Sequence, residues 1–239
     1  MRWLLLLMIF PACVMAEEPR ALILRAIAAH GGQERLAQAR AEYVTLRGHY
    51  FNGASTVAFT NEMTLQLPDQ FKSVVTMSAP SHVIINTLDG VRASTSIDGK
   101  PTAINPATLA QLRQTLALDR AIRLVPLVTA SDVALTNLGE YTVDGRLVVG
   151  VGVIRSGQRE LKLYFDKRSA LLVASEYQLD GSDGKTVVQQ ARYANHRDSG
   201  GYIRPGTITV YRDGKKVMQA ELVEARRVER IDPSEFRTP

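Results

Sequence analysis

Short turn pairs punctuate this chain after residue 40: Asn52-Gly53, Asp89-Gly90, Asp98-Gly99, Asp144-Gly145, Ser156-Gly157, Asp180-Gly181, Asp183-Gly184 and Asp213-Gly214. Asp-Gly and Asn-Gly suit two-residue hairpin turns, whose central positions require positive φ that these residues tolerate. Nearly every interval between the pairs alternates apolar and polar residues, the pattern of a half-buried strand. The chain therefore reads as mainly β (α+β): a strongly curved antiparallel sheet of about 11 strands forming an incomplete β-barrel, with two or three helices as plug or lid. Curled sheets with one apolar face commonly hold an apolar ligand, and no catalytic constellation is written in the residues.

The first sixteen residues have the form of a cleaved secretory signal. Arg2 supplies the positive start, Leu4 to Phe10 the apolar core, and Val14-Met15-Ala16 the small residues before a cut ahead of Glu17. The apolar run is far shorter than the ~20 residues that span a bilayer. Lipidation at Cys13 fits less well, because Phe10 stands where a lipobox prefers leucine. Cys13 is the single cysteine, so a chain beginning at Glu17 has no disulfide and depends on its core. Residues 17–239 are ample for one domain, and the expected location is the periplasm.

The formal charge is +5, with arginines and lysines scattered along the chain. The absence of a basic stripe interleaved with aromatics argues against nucleic acid, while a mild positive field is compatible with transient contact at an anionic membrane surface.

Two stretches change to a helical period. Pro19 opens one, with Ile23, Ala26, Ile27 and His30 on one stripe, and Gly31-Gly32 caps it; Gln33 to Arg40 adds a short piece with Leu36 inward. Asn105 and Pro106 open the other, where Leu109, Leu112 and Leu116 recur before Pro126 ends the run, with a kink expected near Asp119. Gly150 and Gly152, on one face of a strand over 141–154, point to close approach by that inserted helix.

Candidate chemistry is sparse. His30, His49, His82 and His196 are far apart in sequence and form no metal-ligand spacing; His30, at a helix end, reads as a cation complementing the dipole. There is no Gly-x-Ser-x-Gly elbow, and Gly31-Gly32 follows a helix, not a strand as a phosphate loop requires. No catalytic residue, metal or cofactor is expected. The candidate ligand contacts are the apolar strand faces Val57, Phe59, Met63, Leu65, Phe71, Val75 and Met77, with Leu161, Leu163 and Phe165 on a later strand and Leu112 and Leu116 beneath the helix. The alternative is that these side chains fill a closed core.

An N-terminal helix ending in "AHGG", a first strand rising to "LRGHY", the helical insertion and "LYFDKRSALLVASEY" together resemble the LolA-like superfamily of outer-membrane lipoprotein-sorting proteins and periplasmic carriers. The stretch from "YRDGKKV" to "IDPSEFRTP" is similar to the closing hairpin of uncharacterised members. The resemblance implies an incomplete barrel enclosing an apolar cavity for acyl chains, and partners that are lipids or acylated lipoproteins. Three readings follow: a periplasmic binding or carrier protein for acyl chains; a non-catalytic accessory module of an envelope complex or peptidase, with the same fold and a filled core; and a hydrolase whose site the sequence hides.

Overall fold

A computed structural model of the chain describes residues 17–38, 40–180 and 185–237. The leader, Cys13 and the turns at Gly181 and Asp183-Gly184 lie outside the described residues.

The strand periods give one large antiparallel sheet. In chain order its members are β1 (Ala41–Asn52), β2 (Ser55–Gln66), β3 (Gln70–Ser78), β4 (Ser81–Asp89), β5 (Arg92–Ile97) and β6 (Lys100–Thr102). After two helices come β7 (Val133–Val143), β8 (Arg146–Arg155), β9 (Leu161–Asp166), β10 (Leu172–Asp180) and β11 (Thr186–Ala194). A short ribbon, β12 (Arg197–Asp198) with β13 (Ile203–Arg204), precedes β14 (Thr207–Arg212) and β15 (Lys215–Val228). The 13 strands of the main sheet run in the order β6-β5-β4-β3-β2-β1-β15-β14-β11-β10-β9-β8-β7. Its edges, β6 and β7, do not pair with each other, so the barrel is incomplete.

The helices are α1 (Pro19–Ala29), α2 (Gln33–Gln38), α3 (Pro106–Ile122) and α4 (Val125–Thr129). Each long one starts as its sequence dictates. Glu18 caps α1 by accepting from Ala21 N at 3.0 Å, and Asn105 caps α3 by accepting from Thr108 N at 2.8 Å. The expected kink near Asp119 is absent, since α3 runs unbroken to Ile122. The break comes at Leu124, a fully buried non-glycine residue with φ of 63°. Pro126 does not end α3; it sits in the first turn of α4, where its missing N–H is no loss.

Two strand readings are corrected. The strand expected over 141–154 is broken at the turn pair Asp144-Gly145, where both residues have positive φ, and the irregularity near Gly139 is a bulge within β7. Gly150 and Gly152 do not face the helix. A Cβ on Gly150 would meet Leu138 at 3.0 Å, and one on Gly152 would meet the Thr136 hydroxyl at 2.3 Å and the Glu160 carboxylate at 2.6 Å. The glycines make room for side chains on the outer face, while Val149, Val151 and Val153 turn inward to the helices.

The inner face carries two principal cores. One joins Val149, Val151, Val153, Leu161, Leu163 and Phe165 to Leu22, Ile23, Ala26 and Ile27 of α1 and to Val125, Leu127 and Val128 of α4. The other joins Val44, Leu46, Phe59, Leu65, Phe71, Val75, Leu88 and Leu222 to Leu112 and Leu116 of α3. Helix α3 spans both, because Ala121 belongs to the first core.

Candidate functional site

A cavity of about 130 Å³ lies at the seam between the cores. Its apolar wall comes from Val44 and Leu46 of β1, Met63 and Leu65 of β2, Leu222 of β15, Ile208 of β14 and Ile122 of α3, with Leu36 and Leu172. Ile208 packs against both cores, which marks the seam. A cavity of about 150 Å³ is on the scale of one benzene-sized ligand, so the closed form holds only a short apolar segment.

The remaining wall is polar and highly organised. Glu42, at the start of β1, is 5 % exposed. It accepts from Arg123 Nη2 at 2.5 Å, from Arg204 Nη2 at 2.8 Å and from the Tyr202 hydroxyl at 3.1 Å. The Arg204 and Arg227 guanidinium carbons lie 4.3 and 3.3 Å from the centroid of the Tyr202 ring, as cation–π contacts. Burial lowers the Arg204 pKa, opposed by the attraction of Glu42; such a guanidinium stays charged. A buried ion cluster of this kind ties α3, through its C-cap Arg123, to β1 and to the β12–β13 ribbon.

Asp119 of α3 also faces the cavity. Among the described residues no hydrogen bond or ion pair reaches its carboxyl. Burial pushes its pKa up to about 7, with Arg123 pulling it down and Glu42 adding to the rise. A desolvated carboxyl without a hydrogen-bond partner is costly, and α3 keeps it there.

His30 closes another side. Its Nδ1 lies 2.8 Å from Ala26 O, and its Nε2 lies 3.4 Å from Leu172 N. The first contact makes Nδ1 the donor and the second makes Nε2 an acceptor, so the ring is neutral. Burial lowers its pKa accordingly. The expected dipole-complementing cation is therefore corrected to a neutral strut. His196 donates from Nε2 to Leu172 O at 2.9 Å, so both backbone groups of Leu172 are held by histidines. The α1 terminus docks closely here: Gly31, at φ of 118°, leaves space that a Cβ would lose to Gly201 O at 2.7 Å.

The twelve sequence-picked apolar residues are distributed unevenly. Met63 and Leu65 line the cavity. Phe59, Phe71, Val75, Leu112 and Leu116 are buried in the second core, with Met77 half-buried against it. Phe59 stacks on Tyr50 with ring centroids 4.2 Å apart. Leu161, Leu163 and Phe165 are buried in the first core, and Val57 is half-buried on β2. Sequence reasoning missed Glu42, Asp119, Arg123, Tyr202 and Arg204. The one local signal was Asp119, a carboxylate on the apolar side of a helix.

Among the described residues, other polar pairs stand apart from the Glu42 cluster. Ser175 Oγ lies 2.8 Å from the Tyr193 hydroxyl and has no histidine partner, while His82 meets Asp98 at 2.8 Å on the surface. Among the described residues no group of three or more His, Cys, Asp or Glu side chains is gathered as for a metal. What the arrangement can do is bind: an apolar pocket ending in charge.

No family model matches the sequence, and no curated protein is similar to it. Solved structures share its fold. A LolA superfamily protein from Nitrosomonas europaea superposes with a TM-score of 0.59 at 10% identity, covering 93% of this chain and 98% of its own. A DUF1329 family protein from Desulfovibrio piger gives 0.58 at 10% identity, over 92% and 97%. An outer membrane lipoprotein-sorting protein domain from Vibrio parahaemolyticus gives 0.53 at 11% identity, over 93% and 97%. The chain has the LolA-like fold.

Proposed function

We propose that this chain is an exported binding or carrier protein that takes the acyl portion of a lipid or lipoprotein into the seam beneath α3. The observation that carries the reading is the cavity itself, which stands where the two cores fail to meet and is walled by Val44, Leu46, Met63, Leu65, Ile122 and Leu222. Each buried methylene contributes ~0.8 kcal/mol, enough for useful affinity without a covalent or charged anchor. The similarity in fold to a lipoprotein-sorting domain supports the same reading. Residues 17–239 would act as one domain in the periplasm, after cleavage behind Ala16. N-terminal sequencing of the exported protein tests that start, and an acylated Cys13 would replace the soluble carrier by a tethered one.

Titration with a fluorescent fatty acid tests the binding, together with native mass spectrometry of the purified chain. Saturable binding is expected, weakened by Met63→Trp, whose indole occupies the cavity. Absence of both binding and a co-purifying amphiphile would replace the carrier by the accessory module with a filled core.

A further inference from the structure

Beside the cavity lies a second recess, of about 400 Å³, bounded by α2, the β2–β3 turn at Leu67 and Pro68, and the α3–α4 junction. Four arginines line it, Arg40, Arg120, Arg123 and Arg155, and among the described residues no carboxylate does. Arg123 and Leu36 line the recess and the cavity alike, so one guanidinium forms part of both walls.

The charges do not cancel. Arg123 is paired with Glu42, which it shares with Arg204, and Arg155 Nε lies 2.9 Å from the carboxylate of Asp132. Among the described residues neither Arg40 nor Arg120 is in an ion pair. Arg120 donates from Nη2 to the Pro68 carbonyl, and its Nε is buried without a hydrogen-bond partner. Its pKa is lowered by burial and by the charge of Arg155, while Asp69 and Asp132 oppose the fall. Arg120 and Arg155 repel one another, and cations with donors left over form a site for an anion. A recess lined by four arginines, two of them outside any ion pair, suits an anion such as a phosphate monoester, which carries about −1.5 to −2 near neutral pH.

We infer that this recess is a head-group subsite, which holds the phosphate or carboxylate of an anionic amphiphile while its tail passes Arg123 into the seam cavity. The inference rests on the carrier reading and adds the ligand class: an amphiphile with an anionic head, and neither a neutral nor a cationic lipid. Arg40 and Arg120 supply the unneutralised charge, and Arg123 marks the boundary between head and tail.

Calorimetric titration of the exported chain with dodecyl phosphate, dodecanoate and dodecanol, all below their aggregation limits, separates head from tail. Dodecyl phosphate is expected to bind about tenfold or more tighter than dodecanol, the factor that one charge-assisted hydrogen bond supplies. The double variant Arg40→Gln/Arg120→Gln should lose that advantage and keep its affinity for dodecanol. Arg40 is exposed, so Arg40→Gln alone, with part of the same loss, serves if the double variant does not fold. Dodecanoate binding as tightly as dodecyl phosphate would identify a carboxylate head, and weaker binding a phosphate head; both support the subsite. Equal affinity for dodecanol and dodecyl phosphate, unchanged in the variants, would overturn the subsite and leave the carrier intact. Failure of all three ligands to bind would overturn the carrier reading, and this inference with it.

Discussion

The two halves of the sheet are built from the same strand alphabet and are finished differently. On β8 and β9 the inner residues Val149, Val151, Val153, Leu161, Leu163 and Phe165 are all buried, because α1 and α4 lie over them. On β2 to β5 the inner face is interrupted by a polar row. Ser73 donates to Asn61 Oδ1 at 2.8 Å and Thr95 to Asn86 Oδ1 at 2.9 Å, while Met77, Ile84 and Ala93 around them are half-buried. Helix α3 covers the inner face of this half with Leu112 and Leu116. The difference teaches that helix coverage and the polar row together decide which part of a curled sheet is a core and which part can still receive something.

Phe165→Ala against Met77→Ala is the sharpest test of that contrast. Emptying the fully covered half should lower unfolding free energy by about 4 kcal/mol, and the half-covered site should lose about 1 kcal/mol, measured by urea denaturation. Equal losses would mean that the halves are equally packed. Next comes the seam. Glu42→Gln removes the carboxylate that holds Arg123 and Arg204, and breaking such a buried pair should destabilise by about 3 kcal/mol. If α3 is held over the seam by that cluster, the variant should also bind an acyl ligand faster in stopped-flow mixing.

A smaller effect, of opposite sign, is expected at Asp119. Its pKa rises from 3.8 unfolded to about 7 folded, so the folded state binds more protons between those values. Stability therefore falls as pH rises through that window, by at most on the order of 4 kcal/mol. Asp119→Asn should raise stability at pH 8 by about 2 kcal/mol and flatten the pH dependence of thermal unfolding from pH 5 to 8. In that background the smallest effect becomes visible. The His30 pKa is lowered by burial, so the unfolded chain binds the proton first, and stability should fall as pH drops below 6.5. A melting temperature that does not fall on acidification toward pH 5 would remove the neutral-strut role of His30.

Much of the architecture was legible because it depends on local chemistry. Asp98, Asp144 and Asp213, with the glycines after them, have the positive φ that their turns require. Pro19 and Asn105-Pro106 open the helices they signal. Boundaries without a local sign were not legible. The bulge in β7 needs the partner strand to define it, and Leu124 takes positive φ because tertiary packing overrides its preference. The site was least visible. Glu42 and Arg123 are separated by 81 positions and Glu42 and Arg204 by 162, so nothing in either neighbourhood announces the cluster. Alternation correctly placed Met63 and Phe71 on the same side, but only the course of α3 makes one a cavity wall and the other a packed core residue.

The small volume of the seam carries a consequence for release. If the chain carries acyl tails as proposed, a dodecyl or longer tail exceeds a benzene-sized cavity, and methylenes that lifted α3 would uncover Leu112 and Leu116, at roughly 2 kcal/mol for each leucine laid bare. On that reading the loaded protein would be a loaded spring. Affinity should rise with tail length in a step once the chain is long enough to hold the helix up, and the helix pushes back toward its own seat. On the same reading an acceptor would not have to bind the tail more tightly than the free protein's empty cavity does; it would need only to wait at the opening while α3 closes.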